Sequence, residues 1–213
     1  MDQTAITAAG VVDTFLVLLI GVGPKLALVP FLEITAPLDA ATKRRVQRRM
    51  MITAASVAVL LMVLGELLRA LLHFSVASLS IAGGVILFVL AVGMVLGGQS
   101  GEEHLTAGRD PIQLARFPLA VPYLLNPVGI VGLVTISAEA NSISVFAVAI
   151  AILAVVLLID VAVFRWANRV SSKFDEGRML VTEKVFGFLI AAIGVQLVLD
   201  GLASAGVIGP VPH

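Results

Sequence analysis

Two pairs of helix-breaking residues stand inside apolar stretches of this chain and could create a binding site for a small polar solute. Gly23-Pro24 interrupts residues 19–30, and Asn126-Pro127 interrupts residues 117–129. Proline removes a backbone donor and glycine loosens the adjacent turn, so each pair predicts a broken helix. Within a membrane, a break persists only where protein or a water-filled cavity receives the freed backbone groups. We refer to Gly23-Pro24 as the first break and to Asn126-Pro127 as the second break.

A broken helix can bind an α-amino acid without using a charged side chain. The N–H groups that begin one half-helix carry partial positive charge and suit a carboxylate, while unpaired carbonyls suit an ammonium group or sodium. The amide of Asn126 could orient the ligand, and neighbouring glycines would let it approach the backbone. The alternative is that both breaks are kinks that bind nothing. The predicted substrate-binding residues surround both breaks: Gly21, Gly23, Pro24, Lys25, Asn126, Pro127 and Gly129.

Two ionisable residues inside apolar stretches, Lys25 and Asp160, form a second candidate group. Charged side chains within a membrane are costly, and they are usually paired or functional. We expect both residues in the same half of the bilayer, where they could form an ion pair or where Asp160 could carry a coupling proton or cation. The alternative for Lys25 is that its long stem reaches the headgroups.

The composition indicates a membrane protein. The chain of 213 residues is 59% apolar and 13% charged, whereas a soluble domain is about half apolar and about a quarter charged. We therefore expect the lipid bilayer to surround most of its surface. The net charge is zero, which predicts no nucleic-acid partner.

The residue patterns of common enzymes and metal sites are missing from this sequence. There is no cysteine, and His73, His104 and His213 lie far apart without metal-ligand spacing. No phosphate-binding glycine loop, zinc-protease motif or nucleophile–base set occurs. The sequence therefore predicts a protein that is not an enzyme and has no cofactor or metal, with sodium or proton coupling left open.

Six apolar stretches are long enough to cross a bilayer, which takes about 20 residues of helix. They fill most of the chain and predict one membrane domain over residues 1–213. No basic leading region precedes the first stretch, so we expect it to remain as an anchor. The predicted spans, helices one to six, are residues 11–32, 51–72, 76–96, 117–137, 143–164 and 185–205.

The basic residues predict the orientation in the membrane. Of the 14 Lys and Arg residues, 12 follow helices one, three and five, whereas residues 138–142 and both termini carry none. Because basic loops stay on the cytoplasmic side, both termini are expected outside. The predicted location is the bacterial inner (plasma) membrane, with several crossings.

The second half of the chain repeats the first at an offset of 103 residues. Pro24 aligns with Pro127, Gly84 with Gly187 and Gly98 with Gly201. Three helices per repeat reverse the direction of the second copy. The predicted fold is therefore all-α, with six transmembrane helices in two inverted three-helix repeats. Repeat one covers about residues 9–98, a cytoplasmic connection covers 99–116, and repeat two covers about 117–205.

Three ordered motifs resemble those of the MarC family of bacterial inner-membrane proteins. They are LSIAGGVIL at residues 79–87, FPLAVP at residues 117–122, and VFGFLIAAIGVQ at residues 185–196, the last followed by Asp200-Gly201. The resemblance covers nearly the whole chain and implies six spanning helices in two related halves. It also implies transport or export of small neutral amino acids, as assigned to some members, with a small-molecule substrate as the partner.

Two departures from the family pattern bear on the function. The family usually has Asn-Pro in helix one and Gly-Pro in helix four, and here the two pairs are exchanged. Lys25 stands where an uncharged residue is expected. Two alternatives to a neutral amino acid therefore remain: transport of a small anion selected by Lys25, or a membrane scaffold that transports nothing. The substrate, the coupling ion, the direction of transport and homo-oligomer formation stay open.

Overall fold

The computed structural model of the protein describes residues 8–96, 110–140, 142–170 and 176–209. Within these residues the chain forms helices and one irregular segment. The helices are α1 (Ala8–Gly21), α2 (Pro24–Thr35), α3 (Ala40–Leu72), α4 (Val76–Leu96), α5 (Pro111–Leu114), α6 (Pro127–Glu139), α7 (Ile143–Val170) and α8 (Glu176–Ser204); the irregular segment, Ala115–Leu124, lies between α5 and α6. Residues 99–109, most of the predicted connection over 99–116, lie outside the described residues.

Among the described residues, four helices are long and apolar enough to cross a membrane: α3, α4, most of α7 and the part of α8 from Lys184 to Ser204. Their outward faces carry large apolar side chains. Leu158 on α7 is 68% exposed and Phe188 on α8 is 70% exposed. Exposed apolar surface on this scale marks a face that contacts lipid. The chain is therefore a multi-pass integral membrane protein.

The first predicted helix is two short helices separated at the first break. α1 has 14 residues and α2 has 12, so neither alone reaches the about 20 residues of a membrane span. Gly23 adopts an extended conformation and Pro24 opens α2. A side chain on Gly23 would collide with the carbonyl oxygen of Leu19, which explains glycine at this position. The predicted break in helix one is confirmed.

The prediction of a helix over residues 117–137 was wrong for its first part. The segment Ala115–Leu124 forms wide, π-type turns that are interrupted at Phe117 and Val121, whose backbones are extended. Each of these residues precedes a proline, and proline disfavours helical backbone in the residue before it. Both peptide bonds, Phe117–Pro118 and Val121–Pro122, are cis. Regular helix resumes as α6, directly after Asn126.

Helix α3 begins 11 residues earlier than the predicted span, at Ala40, because Asp39 supplies an N-terminal cap. The Asp39 carboxylate accepts hydrogen bonds from the backbone N–H groups of Ala41 (2.9 Å) and Thr42 (3.2 Å). Such caps satisfy donors that have no partner within the helix. The basic residues of the first predicted loop therefore lie on the first turns of α3.

Helices α4 and α8 pack against each other in antiparallel orientation through glycines. A methyl group on Gly84 would lie 2.5 Å from the carbonyl oxygen of Gly194, and one on Gly187 would lie 3.2 Å from that of Ala91. A methyl group on Gly201 would lie 2.8 Å from the carbonyl oxygen of Ala77. Small residues let membrane helices approach closely in this way. We call this contact the α4–α8 seam.

Candidate functional site

The two breaks lie side by side in the protein interior. Val22 and Leu125 form an isolated antiparallel bridge, so the two segments of the chain run in opposite directions where they meet. The Asn126 N–H donates to the Gly21 carbonyl oxygen at 2.9 Å. Backbone groups released by one break are therefore satisfied by the other, as hydrocarbon surroundings require.

Asn126 has a double structural role. Its side-chain oxygen accepts hydrogen bonds from the N–H groups of Val128 (2.9 Å) and Gly129 (3.2 Å), which caps α6. Its side-chain nitrogen donates to the carbonyl oxygen of Ile20 at 2.8 Å. The residue is only 3% exposed. The predicted ligand contact of this amide stays a prediction, and in this structure both ends of the amide bind backbone groups.

Gly21 and Gly129 bring the two breaks into backbone contact. A methyl group on either residue would overlap backbone atoms of the other. Sequence reasoning assigned these glycines to ligand approach. In this structure they permit the approach of one break to the other, a role that could have been inferred only from the pairing of the two segments.

The first break differs from the second in its cap. Gly23 occupies the N-cap position of α2 and has no side chain to cap it. Pro24 is half-buried, and Lys25, the next residue, is exposed. The amino end of α2 therefore combines the partial positive charge of a helix terminus with a nearby ammonium group. Pro127 is buried at the equivalent place of the second break.

The structure does not bring Lys25 and Asp160 together. Asp160 is fully buried on α7, and neither of its carboxyl oxygens has a hydrogen-bond partner among the described residues. It lies in a buried stripe with Val156 and Phe164, and the Phe164 ring packs edge-on against Phe31 of α2 with centroids 5.0 Å apart. The carboxyl group thus lies on the buried face of α7, one helical turn from the Phe164–Phe31 contact with α2, while Lys25 is exposed.

Sequence reasoning did not find the polar contact that joins α3 and α7. The side-chain nitrogen of Asn168 donates to the side-chain oxygen of Gln47 at 2.6 Å. Gln47 is buried even though it lies within a strongly basic run, which made it resemble a surface residue. The described residues hold no group of three His, Asp or Glu side chains that could bind a metal ion.

This arrangement of membrane-length helices, lipid-facing apolar surfaces and two contacting breaks defines a polytopic membrane protein. Comparison with known protein families gives its family. The family model described as "MarC family integral membrane protein" matches residues 9–205. The chain belongs to the MarC family.

Several relatives in this family cover most of the chain. "UPF0056 membrane protein YvbG" of Bacillus subtilis is 24% identical over 177 residues, which is 81% of this chain and 84% of the relative. A "UPF0056 membrane protein" of Archaeoglobus fulgidus is 25% identical over 193 residues, 89% of this chain and 91% of the relative. "UPF0056 inner membrane protein YhgN" of Escherichia coli is 24% identical over 177 residues, 81% and 85% of the two chains. No solved structure gives a significant match.

Proposed function

We propose that this protein is a secondary transporter or exporter of small metabolites, with small neutral amino acids as the leading substrate class. The observation that carries the proposal is the buried contact between two broken membrane segments, joined through Val22, Leu125 and Asn126. Broken helices that meet within a membrane domain are the usual setting of a transporter's binding site. The proposal includes no enzymatic activity, no resident cofactor or metal, and no nucleic-acid partner.

We further propose that the two halves are inverted repeats and that each broken segment counts as one membrane crossing, giving six. The helix boundaries support this. At the offset of 103, the starts of α2 and α3 at Pro24 and Ala40 correspond to the starts of α6 and α7 at Pro127 and Ile143. Asp39 and Ser142 correspond as well, and each accepts a hydrogen bond from the backbone N–H three residues later.

The contacts between the halves support the same relation. Val22 and Leu125 are themselves 103 positions apart, and they pair in antiparallel fashion, as expected for residues beside a local two-fold axis. In the α4–α8 seam, Gly84 faces Gly194 and Val198, whereas Gly187 faces Ala91 and Val95. At the same offset of 103, the partners of Gly84, which are Gly194 and Val198, correspond to the partners of Gly187, which are Ala91 and Val95.

The proposed location is the plasma membrane, with the basic segments in the cytoplasm and both termini outside, according to the positive-inside rule. The inner-membrane name of the Escherichia coli relative supports this location. Alternating access would then move substrate between the two surfaces through the region of the breaks.

The unequal caps suggest different roles for the two breaks. Both ends of the Asn126 amide are hydrogen-bonded to the backbone of α6 and α1, so we assign this residue a structural role that holds the two breaks together. The amino end of α2 has no side-chain cap, and we assign it to the substrate carboxylate. Lys25 is the next residue and is exposed, so the second candidate, a small anion whose charge Lys25 neutralises, requires its flexible side chain to turn back toward this end.

Asp160 is the candidate for coupling to a proton or sodium gradient. A buried carboxyl group without hydrogen-bond partners among the described residues is costly, so a bound proton or cation would stabilise Asp160 during the cycle. Phe164 lies one helical turn after Asp160 and contacts Phe31 of α2. Binding of a proton or cation at Asp160 could therefore change the position of α2 and so affect the first break.

Uptake into proteoliposomes tests this function. The panel holds labelled glycine, alanine, serine, glutamate and lactate, each with and without a proton or sodium gradient. Saturable uptake of the small neutral compounds by the wild-type protein supports the leading proposal. Uptake of only the anions, lost in Lys25→Leu, supports the anion candidate. No uptake from folded protein contradicts the proposed transport of these substrates and favours the scaffold alternative.

A further inference from the structure

A cavity of about 730 Å³ opens between α3 and α7, away from the two breaks. Five basic side chains of the described residues line it: Lys43, Arg44, Arg48, Arg165 and Arg169. The arginines come in two pairs with a spacing of four residues, one pair on each helix, so each pair presents its guanidinium groups on one face. The amides of Gln47 and Asn168, hydrogen-bonded to each other, form a polar wall of the cavity.

Among the residues that the structure describes, no acidic side chain lines this cavity. Within the described part of the chain, the ion pair is Arg69–Glu66, near the other end of α3, and none of the five basic residues takes part in one. Arg44 donates from its Nε to the Ala40 carbonyl oxygen of its own helix at 3.2 Å. Like charges gathered in one cleft repel each other, so an anion bound among them would relieve an unfavourable interaction.

The position along α3 places the cavity at the membrane surface. α3 has 33 residues and is therefore about 50 Å long, whereas the hydrocarbon core is about 30 Å thick. The excess length is the basic amino end, and the apolar part begins at Met50. The cavity spans this transition, since Met51, Ile52 and Val161 line it together with the arginines. Ile52 is 47% exposed and extends the apolar wall outward.

We propose that this cleft binds the phosphate headgroup of an anionic phospholipid. Guanidinium groups bind phosphate oxygens in pairs of parallel hydrogen bonds, and basic pockets between membrane helices suit anionic headgroups. The adjoining apolar residues would contact the first carbons of the acyl chains. A free phosphate compound shares the headgroup chemistry but gains nothing from Met51 and Ile52, which is why the lipid is favoured.

Two double variants separate a built site from general surface charge. Arg48→Gln with Arg165→Gln removes two charges from the cavity. Arg45→Gln with Arg49→Gln removes two charges from the same end of α3, where both side chains are exposed and neither lines the cavity. The purified full chain in a neutral detergent is titrated with phosphatidylglycerol, and bound lipid is counted by native mass spectrometry. Phosphatidylcholine is the neutral comparator, and glycerol phosphate is the soluble competitor.

We expect the cavity variant to weaken phosphatidylglycerol binding by about tenfold or more, and the surface variant by less than about threefold. Equal weakening in both variants, or equal binding of phosphatidylcholine by the wild-type protein, would overturn the proposal. Displacement of the lipid by glycerol phosphate at a similar concentration would assign the cleft to a soluble phosphate compound instead. Should the double variant fail to fold, the single variant Arg169→Gln gives the same comparison against Arg49→Gln.

Discussion

The side-chain nitrogen of Asn126, in the second break, is hydrogen-bonded to the carbonyl oxygen of Ile20, next to the end of α1, at 2.8 Å. The other end of the same amide caps α6. One buried side chain thus satisfies backbone groups of both breaks. Gly23, at the corresponding place of the first break, supplies no such bonds. The side-chain hydrogen bonds at the contact between the breaks therefore come from the second break, and substitutions at Asn126 should weaken the contact.

Asn126→Leu removes the α6 cap and the bond to Ile20, whereas Asn126→Ser keeps a capping oxygen and loses only the bond to Ile20. A lost cap costs about 1 kcal/mol and a lost buried hydrogen bond about another 1 kcal/mol. We expect the melting temperature in detergent to fall in the order wild type, Asn126→Ser, Asn126→Leu. Equal melting of the two variants would contradict the double role.

Gly129→Ala tests the backbone contact between the breaks. The added methyl group would overlap the backbone of Gly21, so we expect a loss of about 3 kcal/mol in the free energy of unfolding. Gly93→Ala on α4 is the control, since nothing lies within 4 Å of the position of the new methyl group. Alanine there should leave stability unchanged or raise it by up to about 1 kcal/mol. Thermal melts of the two variants decide the question, and a stable Gly129→Ala protein would rule out the close contact.

Asp160→Asn tests the coupling role. Asparagine has nearly the same shape and no charge, so folding should persist and the melting temperature should not fall. If Asp160 carries the coupling ion, substrate uptake should lose its dependence on the proton or sodium gradient. Asp13→Asn, at an exposed carboxyl group of α1, is the matched control and should keep that dependence. Unchanged gradient dependence in Asp160→Asn would remove this residue from the coupling mechanism.

The α3 cap predicts a dependence of stability on pH. The Thr42 hydroxyl and the N–H groups of Thr42 and Ala41 bind the Asp39 carboxylate, which lowers the pKa of this residue below its usual value of 3.8. The ionised carboxylate therefore stabilises the folded chain above that value, and the stabilisation disappears as pH falls through the lowered pKa. Asp39→Asn should lose less of its melting temperature between pH 6 and pH 3 than the wild type. An identical pH response would show that ionisation of Asp39 contributes nothing measurable to stability.

The proposed orientation predicts which residues an impermeant thiol reagent can reach in intact cells. The chain has no cysteine, so a single introduced cysteine is the only target. Glu139→Cys at the end of α6 should be labelled from outside, whereas Ala41→Cys at the start of α3 should need permeabilised cells. Both residues are exposed, which makes them a matched pair. The reverse pattern would invert the topology.

Hydropathy and proline positions predicted α4 at its observed bounds and the break between α1 and α2, because both depend on local sequence. The same reasoning made Ala115–Leu124 helical, since its apolar composition outweighed the two prolines. It also could not tell which way a side chain points from its helix. Lys25 turns outward and Asp160 inward, so the two lie apart, although their positions in the sequence predicted similar depths in the membrane. Contacts between segments that are distant in sequence, such as Gly21 with Gly129, can be identified only once the packing of the helices is known.

The α4–α8 seam has a consequence for biosynthesis. α4 ends at Leu96 and its partner begins at Glu176, so 79 residues separate the two helices in the order in which the ribosome makes them. Until α8 emerges, the face of α4 around Gly84 lacks the helix that packs against it. A chain cut short before α8 would keep this face exposed and should become a substrate of membrane proteases. A helix that is made late thus completes the packing of a helix that is made early.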